Sequence, residues 1–162
     1  MLNSLKQTQQ QWGGQSEVID HWLDMRQDLL VSYYNLAVLK PNVLKGKMVK
    51  LPSALEIQDF CTLLVDYISE GHFRIYNQVM DKWQATGFQA TEEIDQLYFK
   101  IIASTDPLLN FSDKYASLKP DDDVQNFEYD FSELGEIICD RFELEDELIK
   151  IITDSLSIPP GA

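Results

Sequence analysis

The chain reads as all-α: an up-and-down four-helix bundle with a short N-terminal helix, one helix bent or broken around Gly71, and another kinked near Pro107. Three observations predict this. Apolar residues recur at helical spacing through four long windows. The breaks between those windows fall at Pro, Gly and capping residues. No stretch alternates apolar and polar positions for more than a few residues, as a half-buried strand would. With 162 residues, 44% hydrophobic and 25% charged, the chain is expected to form one domain over 1–162, with a core large enough to need no staples.

Residues 60–80, FCTLLVDYISEGHFRIYNQVM, organise the rest. On a helix, Phe60, Cys61, Leu64, Tyr67 and Ile68 share one face, while Asp59, Thr62, Asp66 and Glu70 share the other. Gly71 interrupts the pattern, and Phe73, Ile75, Tyr76, Val79, Met80 and Trp83 take up a rotated apolar arc. The segment therefore carries both core and an acidic face.

In chain order, residues 1–11 form the short first helix, which the Gly13-Gly14 pair ends. Ser16 is a good N-cap, with Glu17 and Asp20 in the first turn of a helix over 17–39. Its core arc is Val18, Ile19, Trp22, Leu23, Met25, Leu29, Leu30, Tyr33, Leu36 and Ala37. Asp20, Asp24, Asp28 and Asn35 lie opposite. Pro41 ends it. The connector PNVLKGKMVKLP, with Lys40 just before it, holds four of the 13 basic side chains and reads as a solvated loop. Ser53 and Glu56 make a capping box that opens the central helix, which ends near Thr86-Gly87.

Thr91 caps the next helix, with Glu92 and Glu93 suited to its positive end. Ile94, Leu97, Tyr98, Ile101, Leu108 and Tyr115 stay in phase across Pro107. A kink is expected there, because proline removes the bond to the Ala103 carbonyl and clashes with it. Lys119-Pro120 breaks the chain, and a last helix over 124–156 buries Phe127, Phe131, Leu134, Ile138, Phe142, Leu148, Ile149, Ile152 and Leu156 before Pro159-Pro160.

Two charges fall on apolar arcs: Arg26 among Trp22, Leu30 and Tyr33, and Glu145 among Ile138, Phe142, Leu148 and Ile149. Each alone costs several kcal/mol to bury, so together they predict a buried pair bridging the first and last long helices, which Arg141 can join from one turn away. The competing reading is an interior polar site for a small ligand.

The net charge of −14 repels phosphate backbones and excludes direct nucleic-acid binding; it suits a basic partner. Cys61 and Cys139 offer neither a disulfide framework nor metal-ligand spacing, and Cys61 reads as a small buried hydrophobe. The N-terminal MLNSLKQTQQQ is neither a secretory signal nor a membrane span, so a cytoplasmic, reduced setting is expected. His21 and His72 have Val18 and Ser69 three residues before them, so the Glu-x-x-His motif of di-iron bundles is absent. No phosphate loop, nucleophile elbow or zinc motif appears either. The chain is read as a binding protein without metal, cofactor or catalysis. A phosphate-carrying His72 on a phosphotransfer bundle is the remaining chemical alternative.

The runs IDHWLDMRQDLLVSYYNLAVLKP, DFCTLLVDYISEGHFRIY and RFELEDELI resemble the regulator of sigma D family of bacterial anti-sigma factors, which includes AlgQ, and the MLN opening fits too. The resemblance is dense over the first half and the last helix and weak over 84–125. It implies a helical bundle that binds the C-terminal domain of the primary, housekeeping sigma factor. Such binding blocks that domain's contacts with promoter DNA and core RNA polymerase, favouring alternative sigma factors as in stationary phase. It further implies partner contacts centred on Asp66, with Tyr67, His72 and Phe73 around it. Asp59 and Glu70 join by helical geometry, and Asp20, Asp24 and Asp28 form a second stripe.

Overall fold

The computed structural model describes residues 17–38, 42–44, 47–49, 52–77, 92–119 and 126–154. The expected short helix over 1–11, the end of the central helix near 86 and the Thr91 cap lie outside them. Five α-helices and one hairpin are described: α1 (Glu17–Ala37), β1 (Asn42–Leu44), β2 (Lys47–Val49), α2 (Ala54–Glu70), α3 (Glu92–Ala103), α4 (Thr105–Tyr115) and α5 (Phe127–Asp154). With α3 and α4 sharing one limb, these make the four limbs of an up-and-down bundle.

Side-chain contacts give the direction of each neighbour. Arg26 meets Tyr67 while Tyr33 meets Phe60, so α1 and α2 are antiparallel. Gln58 donates to the Leu118 carbonyl while Phe60 meets Phe111, so α2 and α4 are antiparallel. Arg26 meets Asp146 while Tyr33 stacks on Phe131 at 4.2 Å, so α5 runs back along α1.

Capping starts α2 as its spacing predicts: Ser53 Oγ accepts from the Glu56 N–H at 3.2 Å, and the Ser53 N–H donates to Glu56 Oε2 at 2.9 Å. The bend expected at Gly71 is a change of helical pitch. A π-helical stretch, Gly71–Tyr76, continues α2. Its extra residue per turn rotates the following face, and Tyr76 of the expected arc is buried there, while Val79, Met80 and Trp83 lie outside the described residues. Glycine suits the position because a Cβ there would lie 3.3 Å from Trp22 Nε1 and 3.4 Å from Tyr76 Oη.

One feature departs from the sequence reading and another follows it. The lysine-rich connector, expected as a solvated loop, contains a short antiparallel hairpin with Val43 opposite Met48 and Leu44 opposite Lys47. Three-residue strands are too short for alternation to reveal, although Val43 and Val49 favour extended backbone. The kink expected near Pro107 is found at Ser104, a single residue with helical angles between α3 and α4 that makes no side-chain cap bond. Proline displaces the carbonyl four residues before it, and here it sits at the third position of the new helix, where its missing N–H costs nothing.

The core has two halves. Toward the Phe127 end of α5, aromatic rings fill the bundle: Phe60 lies 5.5 Å from Phe131, Phe127 stacks on Phe131 at 5.1 Å, and Phe111 packs against Phe60 at 6.2 Å. Toward the Asp154 end, the middle is polar.

Candidate functional site

Residues 53–73 include no Lys or Arg, so the exposed side of α2 can be only neutral or negative. Asp59 and Asp66 are exposed on that side. Glu70 is half-buried one turn further on, 3.0 Å from Arg74 Nη1 and 3.6 Å from His21 Nε2 of α1. On α1, Asp24 and Asp28 are exposed and Asp20 is half-buried. Because the two helices are antiparallel, the α1 and α2 acids form two rows running side by side in opposite directions. Helical spacing places the half-buried Met25 and Leu63 along the seam between them.

Tyr67 does not belong to this face. It is 1% exposed and points inward, because its position on the apolar side of α2 outweighs its neighbour Asp66 on the other side. His72 and Phe73 fall in the π-helical stretch, and their side chains lie outside the described residues.

Beneath the face lies the polar half of the core, which builds on Arg26, Arg141 and Glu145, all 1% exposed or less. Glu145 Oε2 accepts from Arg26 Nη2 at 3.2 Å and from the Tyr67 hydroxyl. Its Oε1 accepts from Arg141 Nε and from the Tyr76 hydroxyl, each at 2.9 Å. Arg26 also donates through Nε to Tyr67 Oη at 3.1 Å and through Nη1 to the half-exposed Asp146 at 2.6 Å. Its guanidinium lies 4.5 Å from the Phe142 ring and 5.6 Å from Trp22. Arg141 Nη1 spans to the α3–α4 break, 3.2 Å from the Ile101 carbonyl, 2.9 Å from Ser104 Oγ and 3.0 Å from Thr105 Oγ1. Two cations and two carboxylates thus balance in one network that touches every limb of the bundle.

Burial opposes the charge on Arg26, but Tyr67, Glu145 and Asp146 outweigh it and hold the guanidinium firmly protonated. The same balance, through Glu145, raises Arg141. Burial, reinforced by Glu145, pushes the hydroxyls of Tyr67 and Tyr76 well above the usual tyrosine range. A tyrosine whose folded pKa exceeds its unfolded value of about 10 stabilises the fold fully below pH 10 and stops doing so as pH rises beyond it. Stability should therefore be flat across neutral pH for these groups and fall steeply above about pH 10. The share of phenolate absorbance that belongs to Tyr67 and Tyr76 should appear in step with loss of helical circular dichroism; phenolate formation for all seven tyrosines in the still-folded protein would contradict this.

With four donors around it, Glu145 has no free lone pair to offer a small ligand, and packed rings flank Arg26. The interior is a structural junction. No group of three or more His, Cys, Asp or Glu able to hold a metal occurs among the described residues. None of the helices among the described residues is long and apolar enough to cross a membrane. Sequence reasoning found Arg26, Arg141 and Glu145 but missed Tyr67 and Tyr76 as network members. A tyrosine on an apolar helical face needs a buried partner for its hydroxyl, and an Arg–Glu pair was the partner available.

Comparison with known proteins places the chain. Residues 1–153 match the family described as Regulator of RNA polymerase sigma(70) subunit, Rsd/AlgQ. The protein named Regulator of sigma D from Yersinia enterocolitica is 36% identical over 156 residues, covering 96% of this chain and 92% of that protein. The proteins of the same name from Salmonella typhi and Pectobacterium carotovorum are 34% and 33% identical, over 96% of this chain and 94% and 100% of their own lengths. A family match over residues 1–153 and relatives 33–36% identical across 96% of the chain agree: this chain belongs to the Rsd/AlgQ family of anti-sigma regulators of transcription.

Proposed function

We propose that the acidic α1/α2 face binds the C-terminal promoter-recognition domain of the primary sigma factor, covering the surfaces that domain uses on promoter DNA and on core RNA polymerase. Alternative sigma factors then gain access to the core enzyme, and the site of action is cytoplasmic. The observation that carries the reading is a pair of acid rows, Asp24 and Asp28 beside Asp59 and Asp66, with no Lys or Arg between 53 and 73 and the single Arg of α1 buried. A helix-turn-helix that reads promoter DNA is basic because it contacts phosphates, so its surface complements these rows. The half-buried Met25 and Leu63 of the seam supply desolvated contacts of the kind from which affinity comes, while the acids supply steering and register.

Asp66→Lys should weaken binding to the purified sigma C-terminal domain by more than about 1 kcal/mol, the scale of inverting a contacting charge. The wild-type association rate should fall by about tenfold or more between low and physiological salt. Wild-type affinity in a folded Asp66→Lys variant would move the contact off this face, and a salt-independent rate would remove the electrostatic part of the reading.

A further inference from the structure

The other flank of α1 carries a second surface that the α1/α2 face does not use. Between α1 and α5 runs an open groove of about 520 Å³ lined by Tyr33, Ser132, Gly135, Glu136, Cys139 and Asp140. Its floor is close-packed: a Cβ on Gly135 would lie 2.2 Å from Tyr33 Oη, which donates to the Phe131 carbonyl at 3.1 Å. On α1, next to the groove-lining Tyr33, Val31, Tyr34 and Val38 are 45%, 39% and 62% exposed, with the Tyr34 ring 6.4 Å from Tyr33. Their i, i+3, i+7 spacing makes a straight apolar row about 10 Å long, two helical turns. The α5 rim is negative. The only Lys or Arg residues in 17–38 and 127–149 are Arg26 and Arg141, both buried, whereas Glu136, Asp140 and Glu143 are exposed on α5.

We infer that this α1/α5 groove is a second docking surface, whose occupant is an amphipathic helix of a partner protein with apolar anchors at i, i+3 and i+7 flanked by Lys or Arg. The apolar row and groove match the way a helix lays one face into a hydrophobic cleft. The acidic α5 rim selects cationic flanks and repels an acidic helix or a phosphate backbone.

The full-length protein can be titrated with a fluorescent helical Leu/Lys peptide of about 18 residues and with a peptide of the same composition scrambled to destroy amphipathicity. Cys61 is buried and Cys139 lies in the groove, so maleimide labelling of Cys139 reports occupancy. The expected result is saturable binding of the amphipathic peptide and at least about fivefold slower Cys139 labelling in its presence. Affinity should drop at least about tenfold in Tyr34→Ser/Glu136→Lys, and change less than about threefold in Asp66→Lys. Equal binding of the scrambled peptide, or loss of binding in Asp66→Lys alone, overturns the inference. So does labelling already as slow without peptide, which would mean the groove is covered in the free chain. A wild-type dimer by sedimentation that Tyr34→Ser dissolves would assign the row to a second copy and overturn it too.

Discussion

Glu145→Gln should destabilise the fold by about 3–5 kcal/mol in urea or guanidinium denaturation, the range seen when one member of a buried ion pair is removed. The exchange is nearly isosteric, so packing is preserved and the loss is electrostatic. Each Glu145 oxygen faces one arginine N–H, from Arg26 on one side and Arg141 on the other. Whichever position the amide nitrogen takes, it points at a buried arginine donor, and Arg141 is left with no carboxylate at all. Replacing the fully buried members by apolar residues of similar volume (Glu145→Leu, Arg26→Met, Arg141→Met, Tyr67→Phe and Tyr76→Phe) should recover part of that loss, because no fully buried charge is then orphaned and the half-exposed Asp146 keeps its access to water. A cost below about 1 kcal/mol for Glu145→Gln would mean that water reaches the carboxylate.

Arg141→Met is expected to cost about 3 kcal/mol or more and to act in a second place. Arg141 uses Nε for Glu145 and Nη1 for three oxygens at the α3–α4 break, where Pro107 prevents one continuous helix. Without it the Ile101 carbonyl, already accepting from Ser104 Oγ at 2.6 Å, loses its charged donor, and the hydroxyls of Ser104 and Thr105 lose theirs. Amide hydrogen exchange should therefore rise first around 101–108, before the rest of the bundle. Glu145 retains Arg26 in this variant, which keeps the loss below that of Glu145→Gln. Arg141→Lys should restore less than half, because a single ammonium cannot reach the carboxylate and the break together. Uniform exchange along the chain would show that Arg141 supports Glu145 only.

Both predictions concern residues far from solvent, yet they bear on the proposed binding face. Tyr67 ties α2 to this network from the side opposite Asp66, and Arg26 does the same for α1 opposite Asp24 and Asp28. The acid rows are therefore held in fixed register by the groups beneath them, which gives the proposed binding face a rigid base.

Much of this was legible in the residues alone. Amphipathic periods marked the long helices, Ser53 and Glu56 marked the start of α2, and Gly71 and Pro107 marked where helices change course. Arg26 and Glu145 stood out because a charge on an apolar arc has to find another charge. The outward acids followed from the same periodicity, as the positions left over once the core was assigned. Local rules of this kind act within one or two helical turns, which is why they can be read without a fold. They could not say that Tyr67 turns its hydroxyl to Glu145, 78 residues away, rather than toward a partner beside Asp66. Nor could they show that Arg141 seals the break made by Pro107, or that Gly135 lets Tyr33 close the floor of a groove. Those outcomes depend on which helix faces stand opposite one another, and only the packing of the whole bundle sets that.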